Sequence, residues 1–158
     1  MTEKRQRATR ESWHKLQPLP AKTSQISLDR EFTEDEFEKL SLGLVPVDMD
    51  DKWFIFLEAN TFYFHRSWTG TCIYQMGVVK ERDVFVADKI LVNREVDQYK
   101  ETDDGYDERL LLFLIENLLL GNQLPFPVPS NIFGNYPKGV LQHNIAGTGF
   151  PEVEVESE

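Results

Sequence analysis

The residues with most potential for chemistry lie in one short stretch of the sequence, Phe64-His65-Arg66-Ser67-Trp68-Thr69-Gly70. His65 could act as a general base or hold a polar ligand. Arg66 could bind a phosphate or a carboxylate, or it could stack on an aromatic ring. Further aromatic residues are predicted to face this stretch from neighbouring strands. The candidate ligand- or partner-binding residues are therefore His65, Arg66, Ser67, Trp68, Trp53 and Tyr74.

The same stretch does not complete a catalytic arrangement. Ser67 and Cys72 are potential nucleophiles near His65, but no carboxylate is predicted on the same face to orient the imidazole. Cys72 is most simply a small buried side chain. We therefore predict no catalytic residue. The alternative is a small enzyme in which Arg66 holds a phosphate and His65 moves protons.

Other motifs for cofactor or metal chemistry are missing from the sequence. It contains no Gly-rich phosphate loop, no dinucleotide fingerprint and no His-Glu-x-x-His motif, so we predict no cofactor and no metal. Asp103, Asp104 and Asp107 resemble part of a calcium loop but lack its final glutamate. We interpret these acidic residues as the N-terminal cap of a helix.

Two predicted hairpins position the candidate residues. A two-residue turn at 59–60 would place Trp53 opposite Arg66 on one face of a sheet. A second tight turn at 69–70 would place His65 opposite Tyr74 on the other face. The aromatic and β-branched runs predict a four-stranded antiparallel meander with strands at 52–58, 62–68, 71–79 and 84–92.

Two helices are predicted to flank this sheet. Thr33 and Glu36 form a capping box, which indicates a short helix at 33–42. A more apolar, Leu-rich helix is predicted at 110–120, with Gly121 as its stop. Four prolines and four glycines follow, which predict an irregular C-terminal wrap. The fold class is therefore α+β, with the four-stranded meander packed on the Leu-rich helix.

Both faces of the predicted sheet are largely apolar, so each face needs a cover. The Leu-rich helix can cover only one face. The short N-terminal helix and the Pro/Gly-rich wrap are candidates for the other. The alternatives are a ligand, another protein, or a second copy of the chain in a homodimer.

Length and charge define the domain organisation. The 158 residues suit one domain, which we place at 25–150. Residues 1–24 contain six basic and two acidic side chains and are predicted to be a flexible basic arm. Residues 151–158 contain four glutamates and form an acidic tail.

Composition also restricts the partners and the location of the protein. The net charge of −10 argues against nucleic acid as a partner of the acidic body. The longest apolar run is too short to span a bilayer, so no membrane partner is expected. A single cysteine excludes an internal disulfide. We therefore predict a cytoplasmic protein.

The sequence from Met49 to Phe56, followed by Tyr63-Phe64-His65-Arg66-Ser67-Trp68-Thr69-Gly70 and Cys72-Ile73-Tyr74, resembles a family of short, mostly uncharacterised bacterial proteins. These proteins share a KWFI…FHRSWTG…IY block, and the resemblance extends over about 32–120. Such domains are loosely associated with ADP-ribosylglycohydrolase-like proteins. The acidic metal-binding motifs of those hydrolases are missing here. The resemblance therefore implies an accessory domain and no particular activity.

These observations favour a non-enzymatic binding or accessory module. It would act on a protein partner or a small anionic ligand through the aromatic sheet and the turn at 64–70. The alternatives are an enzyme acting on a nucleotide-like or ADP-ribose-like substrate, and a structural homodimer. A pocket that converges on His65 and Arg66 would favour a ligand or an enzyme, whereas a flat exposed aromatic face would favour a protein partner.

Overall fold

One antiparallel sheet of six strands and two helices forms an α+β fold in the computed structural model, which describes residues 7–125 and residue 127. The strands are β1 Thr23–Ile26, β2 Glu31–Phe32, β3 Trp53–Glu58, β4 Thr61–Arg66, β5 Cys72–Glu81 and β6 Val84–Asn93. The α-helices are α1 Glu34–Ser41 and α2 Asp104–Phe113, and α2 continues as a π-helical turn over Leu114–Leu119. No helix of this described part is long and apolar enough to cross a bilayer.

The sheet has six strands rather than the four that were predicted. Its order is β1-β6-β5-β4-β3, and β2 pairs with a second part of β6. Strand β6 has ten residues, so both short strands can pair with it, one after the other along the same edge. Strands β1 and β2 were not predicted, because strands of four and two residues show almost no alternation of their own.

The predicted register of the β3–β4 hairpin is confirmed. Residues 59–60 have φ angles of 51° and 64°, as a type I′ turn requires. Trp53 pairs with Arg66, and Phe54 pairs with His65. We call the side of the sheet that contains Trp53 and Arg66 the first face, and the side that contains Phe54 and His65 the second face.

The predicted register between β4 and β5 is wrong. A bulge after Phe64 places Tyr74 opposite Phe64 and Cys72 opposite His65. Tyr74 therefore lies on the first face, not on the second face with His65. The connection between β4 and β5 is the five-residue loop 67–71, not a tight turn at 69–70.

The helices lie over the first face. The capping box of α1 is confirmed, because Thr33 Oγ1 accepts from the Glu36 amide at 3.1 Å and Glu36 Oε1 accepts from the Thr33 amide at 3.0 Å. Helix α2 begins at Asp104, earlier than the predicted start at 110. Its buried residues and those of the π-helical turn share one core with the first face, and this core includes Leu110, Leu111, Phe113, Leu114, Ile115, Trp53, Phe64 and Tyr74.

The second face is covered by residues 7–17, which we call the N-terminal strap. Ala8 and Trp13 pack with Phe54 and Phe56 in a separate apolar cluster. Residues 7–17 of the predicted flexible arm at 1–24 are thus packed on the sheet, because their few apolar side chains fit a face that the helices leave uncovered, and residues 1–6 lie outside the described part. The predicted cover by the short N-terminal helix is also wrong, since α1 packs into the first-face core. Most of the predicted C-terminal wrap and the acidic tail lie outside the described residues.

Candidate interaction site

The structure divides the predicted site residues among three places. Trp53, Arg66 and Tyr74 belong to the first face, and His65 is buried on the second face. Trp68 lies in the loop 67–71 and is 55% exposed. Ser67 lies in the same loop, and the six candidates therefore do not form one pocket.

Arg66 is half-buried and stacks on Trp53. Its guanidinium carbon lies 4.9 Å from the centre of the indole ring. Burial lowers the pKa of Arg66, and the nearby Tyr99, Tyr74 and Tyr106 partly oppose that shift. Of the two roles considered from the sequence, the structure shows the stacking contact, which fixes the end of the β3–β4 hairpin.

Tyr74 belongs to a buried polar network that the sequence analysis missed. Asp107 Oδ1 accepts hydrogen bonds from the hydroxyls of Tyr74 and Tyr99, each at 2.6 Å, and Asp107 Oδ2 lies 2.7 Å from an Arg94 nitrogen. Burial raises the pKa of Asp107, and these three donors oppose the shift. The network links β5, the loop after β6, and α2. Only the acidic character of Asp107 was visible in the sequence.

The interpretation of Asp103 and Asp104 as part of a helix N-terminus is confirmed. Asp103 Oδ1 accepts a hydrogen bond of 3.2 Å from the Tyr106 amide and caps α2. Asp104 pairs with Arg94 at 2.6 Å. Asp107, in contrast, is fully buried in the network and is not a cap. In the described residues, no three His, Cys, Asp or Glu side chains are grouped to hold a metal ion.

His65 is only 2% exposed, and its ring packs near Phe54 and Phe56. Its Nδ1 donates to the Gly70 carbonyl at 2.9 Å, so Nδ1 holds the proton of the neutral ring. Nε2 is buried and has no hydrogen-bond partner among the described residues. Burial is the main cause that lowers the pKa of His65. The hydrogen bond to Gly70 raises this pKa by less than burial lowers it, and the positive charge of Arg10 lowers it further.

The potential nucleophiles are also occupied by structural contacts. Ser67 Oγ donates to the Asp51 carbonyl at 2.7 Å. Burial raises the pKa of Cys72 to about 12, so its thiol stays protonated near neutral pH, and Sγ donates to the Tyr74 carbonyl at 3.5 Å. His65, Ser67 and Cys72 therefore each bond to a backbone carbonyl, which suits structural roles.

An open groove of 610 Å³ lies beside Trp68, between the strap and the turn at 46–49. We call it the interaction groove. Trp13, His14 and Lys15 of the strap line the groove, together with the apolar side chains of Val47, Met49 and Trp68. Of the residues that line this groove, only Trp68 and Ser67 were predicted as site residues, because the position of the strap depends on contacts between distant parts of the sequence.

The groove is held by hydrogen bonds to backbone carbonyls. Trp68 Nε1 donates to the Met49 carbonyl at 2.9 Å, and Lys15 Nζ donates to the Trp68 carbonyl at 3.4 Å. The Lys52 ammonium lies 3.8 Å from the centre of the Trp68 ring. The indole is thus fixed in orientation while much of its surface stays exposed.

No family model matches this chain, and neither does any curated protein or solved structure. The resemblance to the bacterial proteins with the KWFI…FHRSWTG…IY block therefore stays a prediction. The geometry of the groove is the basis for a functional proposal.

Proposed function

We propose that this protein is a non-enzymatic binding module that binds an apolar segment of another protein in the interaction groove. Five large hydrophobic side chains are exposed among residues 7–125 and 127, and three of them, Val47, Met49 and Trp68, line this groove. Val47 is 85% exposed and Met49 is 74% exposed. This clustering is the observation that supports the proposal, because exposed apolar side chains are normally scattered singly.

The chemistry of the groove favours apolar side chains as its occupant. The Trp68 indole N–H already donates to Met49, and Lys15 already donates to the Trp68 carbonyl. The single indole donor is therefore not open to a polar ligand, whereas an apolar side chain can cover the exposed surface of Val47, Met49 and Trp68 without displacing any hydrogen bond. Tryptophan and methionine are also enriched at protein interfaces.

The groove is also preorganised for binding. Asp51 Oδ2 accepts from the Val47 amide at 2.9 Å, and Asp48 Oδ1 accepts from the Asp50 amide at 2.9 Å. These bonds fix the turn that presents Val47 and Met49. Less conformational entropy is therefore lost when a partner binds.

A peptide library displayed on phage, selected against the full chain, tests the proposal. Peptides with apolar anchors should be selected, and Met49→Ser should weaken their binding by about tenfold or more because a central apolar contact is lost. Val96→Ser is the matched control, since Val96 is 54% exposed and does not line the groove. The proposal is wrong if no peptide is selected, or if both variants affect binding equally.

The same variants distinguish another protein from a second copy of this chain. Sedimentation equilibrium of the full chain should show a monomer whose mass is unaffected by Met49→Ser. A dimer that dissociates on that substitution would mean that the groove binds its own copy, and the proposed foreign partner would be abandoned.

A further inference from the structure

We propose that the interaction groove exists only while the N-terminal strap is docked, and that protonation of His65 undocks the strap. Binding in the groove would then weaken on acidification in proportion to the docked fraction of the strap. The consequence for binding rests on the proposed function. The undocking itself is a property of the fold and does not depend on a partner.

The strap holds the loop 67–71 through its backbone carbonyls. Trp13 Nε1 donates to the Ser67 carbonyl at 2.9 Å, and the Gln17 amide donates to the Gly70 carbonyl at 2.8 Å. The strap also supplies Trp13, His14 and Lys15 to the lining of the groove. Undocking would therefore remove these lining residues and release the loop that presents Trp68.

His65 lies directly beneath this attachment. The Gly70 carbonyl that accepts from Gln17 also accepts from His65 Nδ1. Phe54 packs between the two elements, with its ring centre 5.9 Å from that of Trp13 and 6.3 Å from that of His65. A change of charge on His65 thus acts on the residues that the strap contacts.

The docked state has no favourable place for a protonated His65. The new N–H at Nε2 would be buried where the described residues provide no acceptor. The charged group of the strap near this ring is Arg10, which repels an imidazolium. On the strands, Glu58 of β3 is already paired with Arg10 at 2.9 Å, Tyr63 of β4 stacks on Phe56, and burial raises the pKa of the Cys72 thiol of β5 to about 12, so none of them offers a free negative charge.

The strap can leave without opening the main core. Its cluster with Phe54 and Phe56 is separate from the core between the first face and the helices. Water would then reach His65 Nε2. Local opening of a segment with few buried contacts costs less than global unfolding, so the strap is the element that should respond first.

The direction of the pH effect follows from linkage. The docked state lowers the pKa of His65 below its usual 6.5, so the undocked state binds more protons as the pH falls below that value. Docking is fully favoured above pH 6.5 and weakens below it. Between pH 7 and pH 5 the docking equilibrium should fall by up to about 25-fold if His65 is the titrating group.

Hydrogen exchange of the full chain measures this equilibrium. The protection factor of the Gln17 amide should fall by up to about 25-fold between pH 7 and pH 5. The Arg94 amide is the internal control, because it donates to the Lys22 carbonyl at 2.9 Å, outside the strap. Equal protection of Gln17 at both pH values would overturn the proposal.

Two matched variants assign the effect to His65. His65→Asn keeps a neutral amide nitrogen that can donate to Gly70, and it should remove the pH dependence. His14→Asn removes the exposed histidine of the strap and should leave the dependence unchanged. A dependence that persists in His65→Asn contradicts the proposal.

If that variant does not fold, the NMR titration of His65 in the unmodified chain decides, since its ring must titrate together with the loss of strap protection.

A selected groove-binding peptide then tests the consequence for binding. Its apparent affinity is proportional to the docked fraction of the strap, so between pH 7 and pH 5 it should fall by the ratio of the docked fractions that the protection of Gln17 gives at each pH. Undocking without loss of affinity would overturn the coupling between the strap and the groove. If no peptide binds at any pH, the proposed function fails, and the exchange measurement still decides whether His65 controls the strap.

Discussion

The hydroxyl of Tyr74 donates a hydrogen bond of 2.6 Å to Asp107 Oδ1 and so joins the middle of the sheet to α2. Both side chains are completely buried. Asp107 Oδ1 also accepts a hydrogen bond from the Tyr99 hydroxyl, and Asp107 Oδ2 lies beside Arg94. One carboxylate on α2 thus binds donors from β5 and from the loop after β6. A buried charge of this kind is tolerated only when its partners are all present.

Removal of the Tyr74 hydroxyl should therefore destabilise the fold. Tyr74→Phe keeps the ring but removes one donor from Asp107, and the free energy of unfolding should fall by about 1–3 kcal/mol. Urea unfolding measures the change. Tyr63→Phe is the control on the second face, where the ring stacks on Phe56 and is only half-buried. Equal losses for the two variants would contradict the importance of the network.

Gly70 should tolerate no side chain, because the strap occupies the necessary space. A Cβ at Gly70 would collide with the Lys15 carbonyl, and the φ angle of 77° is itself strained for other residues. Gly70→Ala should displace the strap and increase exchange of the Gln17 amide. Gly121→Ala is a matched control, because its φ is 78° but no atom of the described residues lies within 4 Å of the added Cβ. Both variants share about 1–2 kcal/mol of backbone strain, so only the excess at Gly70 reports the collision.

Trp13 and Trp68 should differ in what they contribute. Trp13→Ala removes a half-buried ring from the second-face cluster and should lower the free energy of unfolding by about 2–4 kcal/mol. Trp68→Ala removes an exposed ring and should cost less than about 1 kcal/mol, but it should abolish peptide binding in the groove. Thermal unfolding and peptide titration together check the two variants. Similar stability losses would show that the groove is a structural element only.

Acid should weaken the ion pair between Arg30 and Glu116. Burial raises the pKa of Glu116, but Arg30 and Asn122 outweigh it and hold that pKa below 4.5. The carboxylate therefore stabilises the fold above about pH 4.5, and this contribution is lost as the pH falls through the lowered value.

Glu116→Gln tests this contribution. The variant should reduce stability by about 1–2 kcal/mol at pH 7 and by much less at pH 3. Urea unfolding at both pH values measures the difference. Glu34→Gln is the control, since Glu34 pairs with Lys80 at an exposed site. A loss at Glu116 that is the same at pH 7 and pH 3 would contradict the ionic contribution.

The sequence by itself determined the elements that depend on neighbouring residues. The capping box of Thr33 and Glu36, the positive φ angle of Asn60 and the alternation along β3 and β4 all follow from local backbone chemistry. The pairing of Trp53 with Arg66 was therefore predictable. Of the groove, the local sequence indicated only that the turn at 64–70 contains an unusual set of polar and aromatic groups.

The tertiary structure decided the register of β5, the role of Asp107 and the position of the strap. The bulge after Phe64 moves Tyr74 to the first face. There its hydroxyl donates a hydrogen bond to Asp107, which lies on α2, 33 residues further along the chain. The strap contacts the loop 67–71 across more than 50 residues of sequence, as Trp13 and Ser67 show. Such contacts depend on which surface remains uncovered after the sheet and helices have packed, and no local pattern of residues contains that information.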